Sequence, residues 1–175
     1  MTLPRKRIRL HSSRYIGREL FFLTLCTSER RAVFLDQAVG HWVVTRLLGA
    51  SAKYNFAVHA YCVMPDHLHL LAEALTQTAE LVKFVSAFKQ ETGFTYQKRT
   101  HRRLWQPRYY DRILREPEGA ERVAWYIWLN PVRKGLCVAP REYALSGSFT
   151  VLDWRERCAP AESWIPPWKT EKMPG

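Results

Sequence analysis

The sequence predicts an α+β fold, namely a ferredoxin-like antiparallel sheet with helices on one face. Segments with strand-like and helix-like patterns follow the order strand, helix, strand, strand, helix, strand, which is the order of that fold. A length of 175 residues suits one domain with a sizeable core. A hydrophobic content of 47% is typical of a globular chain rather than a disordered one.

The first half of the chain contains a strand, a helix and a pair of strands joined by a tight turn. Residues 19–27 form a nearly continuous apolar run, which is short enough for a central strand. Asp36 can cap a helix that runs to about Tyr54. Residues 56–64 and 67–73 then predict the two paired strands.

The second half contains a helix, a strand and a last helix. Apolar residues at helical spacing predict a helix from about Thr78 to Tyr96. Residues 104–114 predict a strand, and Pro107 within it indicates an edge or bulged position. The last helix begins near Pro117, and its expected buried stripe consists of Ala120, Val123, Ala124 and Ile127.

The composition changes after Gly147, where tryptophan and proline become frequent. We therefore expect residues 1–147 to form the domain, with a basic arm within residues 1–18, and residues 148–175 to form a Trp/Pro-rich tail. The sequence leaves open whether this tail packs across the domain or is loose.

The charge of the chain favours a polyanionic partner. The net charge is +11 and the pI is about 9.8, so nucleic acid is the first candidate. A membrane surface is disfavoured because no long uncharged apolar run exists, and the N-terminus lacks the apolar core of a signal peptide. The scattered cysteines form no Cys-x-x-Cys pair, which argues against a zinc ribbon and for reduced cytoplasmic thiols; they are Cys26, Cys62, Cys137 and Cys158.

Basic residues cluster in the N-terminal arm, after the second helix and along the strand that follows. We expect these side chains to contact DNA; they are Arg5, Lys6, Arg7, Arg9, Arg14, Lys98, Arg99, Arg102, Arg103, Arg108, Arg112 and Arg122. Trp105, Tyr109 and Tyr110 lie among them and can either stack on bases or belong to the core.

Two histidines alternate with leucines on the third predicted strand. Because side chains alternate between the faces of a strand, His67 and His69 point the same way, about 6.6 Å apart along the chain. Such a pair can chelate one divalent metal ion or can consist of two structural histidines. His59, on the neighbouring strand, is either a further ligand or a packing residue.

Two separated motifs resemble those of a known family. Residues 64–71 read Met-Pro-Asp-His-Leu-His-Leu-Leu, which is similar to the His-hydrophobic-His (HUH) motif of single-tyrosine nucleases. Residues 126–136 read Tyr-Ile-Trp-Leu-Asn-Pro-Val-Arg-Lys-Gly-Leu. In this order the motifs resemble those of the bacterial REP-associated tyrosine transposases, with Lys134 at a position where a small residue is usual. The resemblance covers residues 14–148.

This resemblance implies a chemistry for the site. It adds a further helix that carries Tyr126, which would attack DNA as the nucleophile and remain linked to the 5′ side of the cut. His67 and His69 would hold Mg²⁺ or Mn²⁺, with the Asn130 carbonyl as a third ligand. Asn130 precedes Pro131, however, and a residue before proline is displaced from helical angles.

The resemblance also implies a partner and a location. The substrate would be the repetitive extragenic palindrome (REP), a DNA hairpin with a single-stranded guide sequence beside it. The protein would act in the bacterial cytoplasm, associated with the nucleoid, as a monomer or homodimer.

Two other functions are compatible with the predicted fold. One is a non-catalytic module that binds hairpin DNA or RNA, with structural histidines, because the fold alone decides no function. The other is a plasmid relaxase or replication initiator, which shares the histidine motif. The motif around Asn130 favours the transposase type over the latter.

Overall fold

The computed structural model describes residue 16 and residues 18–114 and 119–156. Within them, a five-stranded sheet has the strand order β4-β1-β3-β2-β5, and every recorded strand pair is antiparallel. In chain order the elements are β1 (Leu20–Cys26), α1 (Gln37–Lys53), β2 (Phe56–Met64), β3 (His67–Ala74), α2 (Leu81–Thr100), β4 (Tyr110–Ile113), α3 (Ala120–Trp128), α4 (Asn130–Arg133) and β5 (Ser146–Gly147). The predicted α+β fold class is confirmed.

The sheet is covered on both faces, because β1 and β2 are apolar on both sides. Phe21 and Leu23 alternate with Phe22 along β1, and all three are buried. Phe21 and Leu23 belong to the core formed with α1 and α2. Phe22 belongs to a second core, which includes Cys62 of β2 and the buried side of α3. The helix that carries the predicted nucleophile therefore packs on the face opposite to α1 and α2.

The predicted bounds of β1, α1, β2 and β3 agree with the structure to within one residue. Asp36 caps α1, since its Oδ1 accepts from the amide nitrogens of Ala38 at 3.0 Å and Val39 at 3.4 Å. The second helix was placed a few residues too early, because α2 begins at Leu81 and extends to Thr100.

The strand predicted at 104–114 is correct in its edge position but too long, since only Tyr110–Ile113 pairs as β4. Trp105 makes an isolated bridge with Thr27 instead. Lys89 of α2 holds the segment between them, because its Nζ donates to the carbonyl oxygens of Gln106 at 2.7 Å and Pro107 at 3.1 Å. Lys89 therefore points toward this segment and is only half-exposed.

The stripe predicted for the last helix is correct at Val123, Ala124 and Ile127, which are buried. It is wrong at Ala120, the first residue of α3, which is exposed. The predicted start at Pro117 lies outside the described residues.

The first part of the predicted tail, residues 148–156, packs against the domain. Trp154 is 2% exposed and its ring stacks on Trp128 with centroids 4.7 Å apart. Trp164 and Trp168 lie outside the described residues. No helix in the described part of the chain is long and apolar enough to cross a membrane.

We predict that Cys62 resists alkylation in the folded protein. Cys62 is fully buried in the core beneath α3, and burial raises the pKa of its thiol to about 12, so the reactive thiolate is scarce. Peptide mass spectrometry after iodoacetamide treatment should show Cys137 modified first, and both cysteines modified once denaturant is added. Equal rates for Cys62 and Cys137 in the native protein would contradict the packing of α3 on the sheet.

Candidate active site

The predicted histidine pair is brought together on the α3 side of the sheet. β3 lies between β1 and β2, so His67 and His69 are held by a central strand. Their Nε2 atoms lie 3.0 Å apart. Leu68 and Leu70 point into the opposite core, as the alternation predicted.

The outer ring nitrogen of each histidine has its own partner. Asp66 Oδ1 lies 2.6 Å from Nδ1 of His67, and Thr24 Oγ1 lies 2.9 Å from Nδ1 of His69. A carboxylate only accepts, so Nδ1 of His67 carries the proton and its Nε2 keeps a lone pair. Burial lowers the pKa of His67, and Asp66 acts in the opposite direction with a smaller effect.

This arrangement fits a divalent metal ion. Two nitrogens 3.0 Å apart, each about 2.1 Å from one ion, subtend about 90°, which matches adjacent positions of an octahedral ion. Carboxylate and hydroxyl partners on the outer nitrogens are what metal-binding histidines usually have. Among the described residues, no group of three or more His, Cys, Asp or Glu is placed to hold a metal ion.

Tyr126 of α3 lies beside the histidine pair. Its ring centroid is 6.3 Å from that of His69 and 6.1 Å from that of Phe22, both with edge-to-face geometry. The sequence placed Tyr126 at the edge of the buried stripe, but the residue is only 4% exposed. It is buried because α3 lies flat on the sheet and Arg133 covers the ring from the other side, with its guanidinium carbon 4.9 Å from the ring centroid.

Asn130 is the first residue of α4, and its side chain turns back toward α3. Its side-chain nitrogen donates to the carbonyl oxygens of Tyr126 at 2.7 Å and Ile127 at 3.3 Å. Pro131 has no amide hydrogen for the carbonyl of Ile127, and the Asn130 side chain takes that place. The amide nitrogen thus caps the end of α3, while the role of the Asn130 carbonyl as a third ligand stays a prediction.

His59 is engaged away from the histidine pair. Its Nε2 lies 2.7 Å from Oε2 of Glu73, and its Nδ1 lies 2.9 Å from Oγ1 of Thr150. Of the two interpretations of His59, the packing residue is the correct one.

Five of the basic residues predicted to contact DNA lie in the last turn of α2 and in the segment that follows it. The segment after α2 reaches the end of the sheet at which β3 begins, because the amide of Gln106 donates to the Cys26 carbonyl at 2.9 Å. The exposed basic residues of this end are Lys98, Arg99, Arg102, Arg103 and Arg108.

Two further cations lie closer to the tyrosine helix. Arg112 of β4 pairs in register with Phe22 and so faces the histidine side of the sheet. Arg122 is exposed on α3, one turn before Tyr126. The basic arm, with Arg5, Lys6, Arg7, Arg9 and Arg14, lies outside the described residues.

The base-stacking interpretation is wrong for Trp105. This residue is 6% exposed, and its Nε1 donates to Oγ1 of Thr92 at 2.8 Å, because the segment 104–107 folds against α2. Tyr109 is half-buried, with Nζ of Lys89 5.7 Å from its ring centroid. Tyr110 is 44% exposed on the histidine side of the sheet and stays available for stacking.

Four residues at the site were not predicted as functional, and one of them, Asp66, stands inside the first motif. Thr24 is a lone hydroxyl in the apolar run of β1, and that break in the run was the available signal. Arg30 lies 3.4 Å from Asp66 and belongs to a turn in which it and Glu29 have positive φ angles, 56° and 59°. Arg133 stands within the second motif, but only the fold shows that it reaches Tyr126.

Comparisons with known proteins identify the family of this chain. A family model described as IS200-like transposase matches residues 20–128. A relative from Haemophilus influenzae, named as a REP-associated tyrosine transposase, is 25% identical over 142 residues, which are 73% of this chain and 78% of the relative. A solved structure of a REP-associated tyrosine transposase bound to a REP hairpin aligns with a TM-score of 0.67 and 18% identity over 81% of each chain. The likeness to this solved structure shows that the two proteins share a fold.

Proposed function

This protein belongs to the IS200-like transposase family, whose model matches residues 20–128, and we propose that it is a metal-dependent single-strand DNA endonuclease and strand transferase. Its substrate is a REP-type hairpin with a single-stranded flank. The reaction passes through a covalent link between Tyr126 and the 5′ phosphate at the cut.

The observation that carries the proposal is the meeting of three side chains from distant parts of the sequence. The ring of Tyr126 lies beside His69, and Nε2 of His69 lies 3.0 Å from Nε2 of His67. A nucleophile next to a pair of imidazole nitrogens that can hold a metal ion suits phosphoryl transfer. A module that only binds nucleic acid has no need of this arrangement.

The chain's own residues account for the steps of the reaction. The Tyr126 hydroxyl gives up its proton and its oxygen attacks the scissile phosphorus. The bond from phosphorus to the 3′ oxygen breaks, and that oxygen takes up a proton to become a free 3′ hydroxyl. Thr24 and Asp66 fix the orientation of the two imidazoles through their Nδ1 atoms. A bound Mg²⁺ or Mn²⁺ would supply charge to the phosphate oxygens.

The cations around the site support a DNA substrate. Arg112 lies on the histidine side of the sheet, and the basic run after α2 leads to the end of the sheet at which β3 begins, so a DNA backbone at the site would meet positive charge. The relative from H. influenzae and the hairpin-bound structure carry REP association in their names, which supports the choice of a REP-type hairpin.

The proposal is tested with a hairpin DNA that is labelled at one end or the other and incubated with the protein and Mn²⁺. On a denaturing gel, the covalent adduct should carry the 3′-terminal label only. The released fragment should carry the 5′ label and be extended by a polymerase, since its 3′ hydroxyl is free. Hairpin binding with neither cut nor adduct would identify a binding module instead.

We expect the N-terminal arm to contribute affinity but not the position of the cut. Removing residues 1–13 deletes Arg5, Lys6, Arg7 and Arg9, so the slope of log affinity against log salt should flatten by about 3. Salt titrations of binding for the full-length and truncated proteins check this. The same titrations should show a preference for a flanked hairpin over duplex of equal length, because unpaired bases expose edges and faces. Equal affinity for plain duplex, or an unchanged slope, would contradict this binding surface.

A further inference from the structure

Arg133 contacts both the ring and the backbone of Tyr126. Its Nη1 donates to the Tyr126 carbonyl at 3.1 Å, and its guanidinium carbon lies 4.9 Å from the ring centroid. A planar guanidinium can donate along its edge while its face covers an aromatic ring. Both contacts therefore come from one side chain.

The ring of Tyr126 is contacted by side chains of the sheet and by a side chain of α4. Phe22 and His69 approach it from the sheet, whereas Arg133 approaches from α4. Arg133 is an exposed residue, while Tyr126 is 4% exposed. Arg133 thus forms the outer wall of the tyrosine's site.

The backbone contact matters because Tyr126 lies near a helix end. α3 ends at Trp128 and Pro131 follows, so the last carbonyls of the helix lack part of their usual amide donors. The carbonyl of Tyr126 accepts from the side chains of Asn130 at 2.7 Å and Arg133 at 3.1 Å. These two side chains therefore tie the backbone at Tyr126 to α4, next to the point where Pro131 interrupts the helical hydrogen bonds.

We propose that Arg133 is a positioning residue, which holds the ring and backbone of Tyr126 in the orientation from which the tyrosine attacks DNA. This role rests on the proposed function of Tyr126. It belongs to arginine specifically, because lysine supplies the charge without the planar fork and glutamine supplies a donor without the charge.

The ring contact can be measured without any reaction. Fluorotyrosine incorporated at position 126 gives a fluorine NMR signal that reports the surroundings of the ring. In Arg133→Gln and Arg133→Lys this signal should shift and change in width, since one wall of the ring site is lost. Lys134→Gln is the matched control, because it removes the same charge from the neighbouring exposed residue and should leave the signal in place.

The consequence for the reaction is measured in the same variants without the fluorine label. The single-turnover rate of adduct formation should fall at least about tenfold in both Arg133 variants, because small misplacements of a reacting group are costly. The hairpin Kd should change by less than about twofold, since other cations carry the affinity. Thermal unfolding of each variant identifies any loss of the fold, and Arg133→Lys keeps the test usable if Arg133→Gln unfolds.

The outcomes separate this role from the proposed function. An unchanged fluorine signal, or a normal adduct rate in both folded Arg133 variants, would overturn the positioning role. A rate loss equal to that of Lys134→Gln would overturn it as well, since charge alone would then explain the effect. Absence of any adduct in the unsubstituted protein would contradict the proposed function instead, and the fluorine signal would still decide whether Arg133 holds the ring.

Discussion

Substitution of Tyr126 by phenylalanine is expected to abolish the covalent protein–DNA adduct, with a loss of at least about a thousandfold in rate. Phenylalanine retains the ring that packs edge-to-face against Phe22 and His69, so the fold should persist. We expect the free energy of unfolding to fall by no more than about 1–2 kcal/mol. A denaturing gel of labelled hairpin with Mn²⁺ measures the adduct, and thermal unfolding measures the stability.

The same gel distinguishes Tyr126 from the other tyrosines near the site. Tyr110→Phe is the matched control, because Tyr110 also faces the histidine side of the sheet, on β4. Its adduct should be retained, since the ring available for stacking is kept. An undiminished adduct in Tyr126→Phe, or its loss only in Tyr109→Phe or Tyr110→Phe, would assign the nucleophile to another residue.

The second large effect is expected at the histidine pair. His67→Ala and His69→Ala should each abolish cleavage while changing the hairpin Kd by less than about twofold, because Lys and Arg contacts with phosphates carry the affinity. EDTA should have the same effect on the unsubstituted protein. Titration with Mn²⁺, followed by electron paramagnetic resonance, should show one bound ion that is lost in either variant.

His59→Ala is the control for the histidine substitutions. His59 lies on the strand next to β3 but is paired with Glu73 and Thr150, so cleavage should persist in this variant. Cleavage that continues in EDTA would remove the metal ion from the mechanism. Loss of cleavage in His59→Ala, with the fold intact, would show that the metal site extends to this residue.

Local patterns predicted much of the site. The alternation of side chains along β3 placed His67 and His69 on one face, and their Nε2 atoms lie 3.0 Å apart. The short apolar run of residues 19–27 predicted a central strand, and β1 lies between β4 and β3. Both features depend on neighbouring residues, so they can be inferred from one stretch of sequence at a time.

Contacts between distant residues could not be predicted in this way. Thr24 reaches His69 across 45 positions of sequence, and the burial of Trp105 depends on its bond to Thr92 of α2. The Asn130 side chain turns toward the end of α3 because Pro131 leaves a carbonyl without its amide donor. Each of these hydrogen bonds depends on which groups compete for the same partner in the folded chain.

The shortness of α3 has a consequence for the newly synthesised chain. A helix of nine residues is too short to persist by itself in water, so α3 should form only after the strands beneath it have assembled. Tyr126 then meets the histidines in the last stage of folding. Under the proposed function, a chain that has not finished folding would hold the tyrosine and the histidines apart and would not cut DNA.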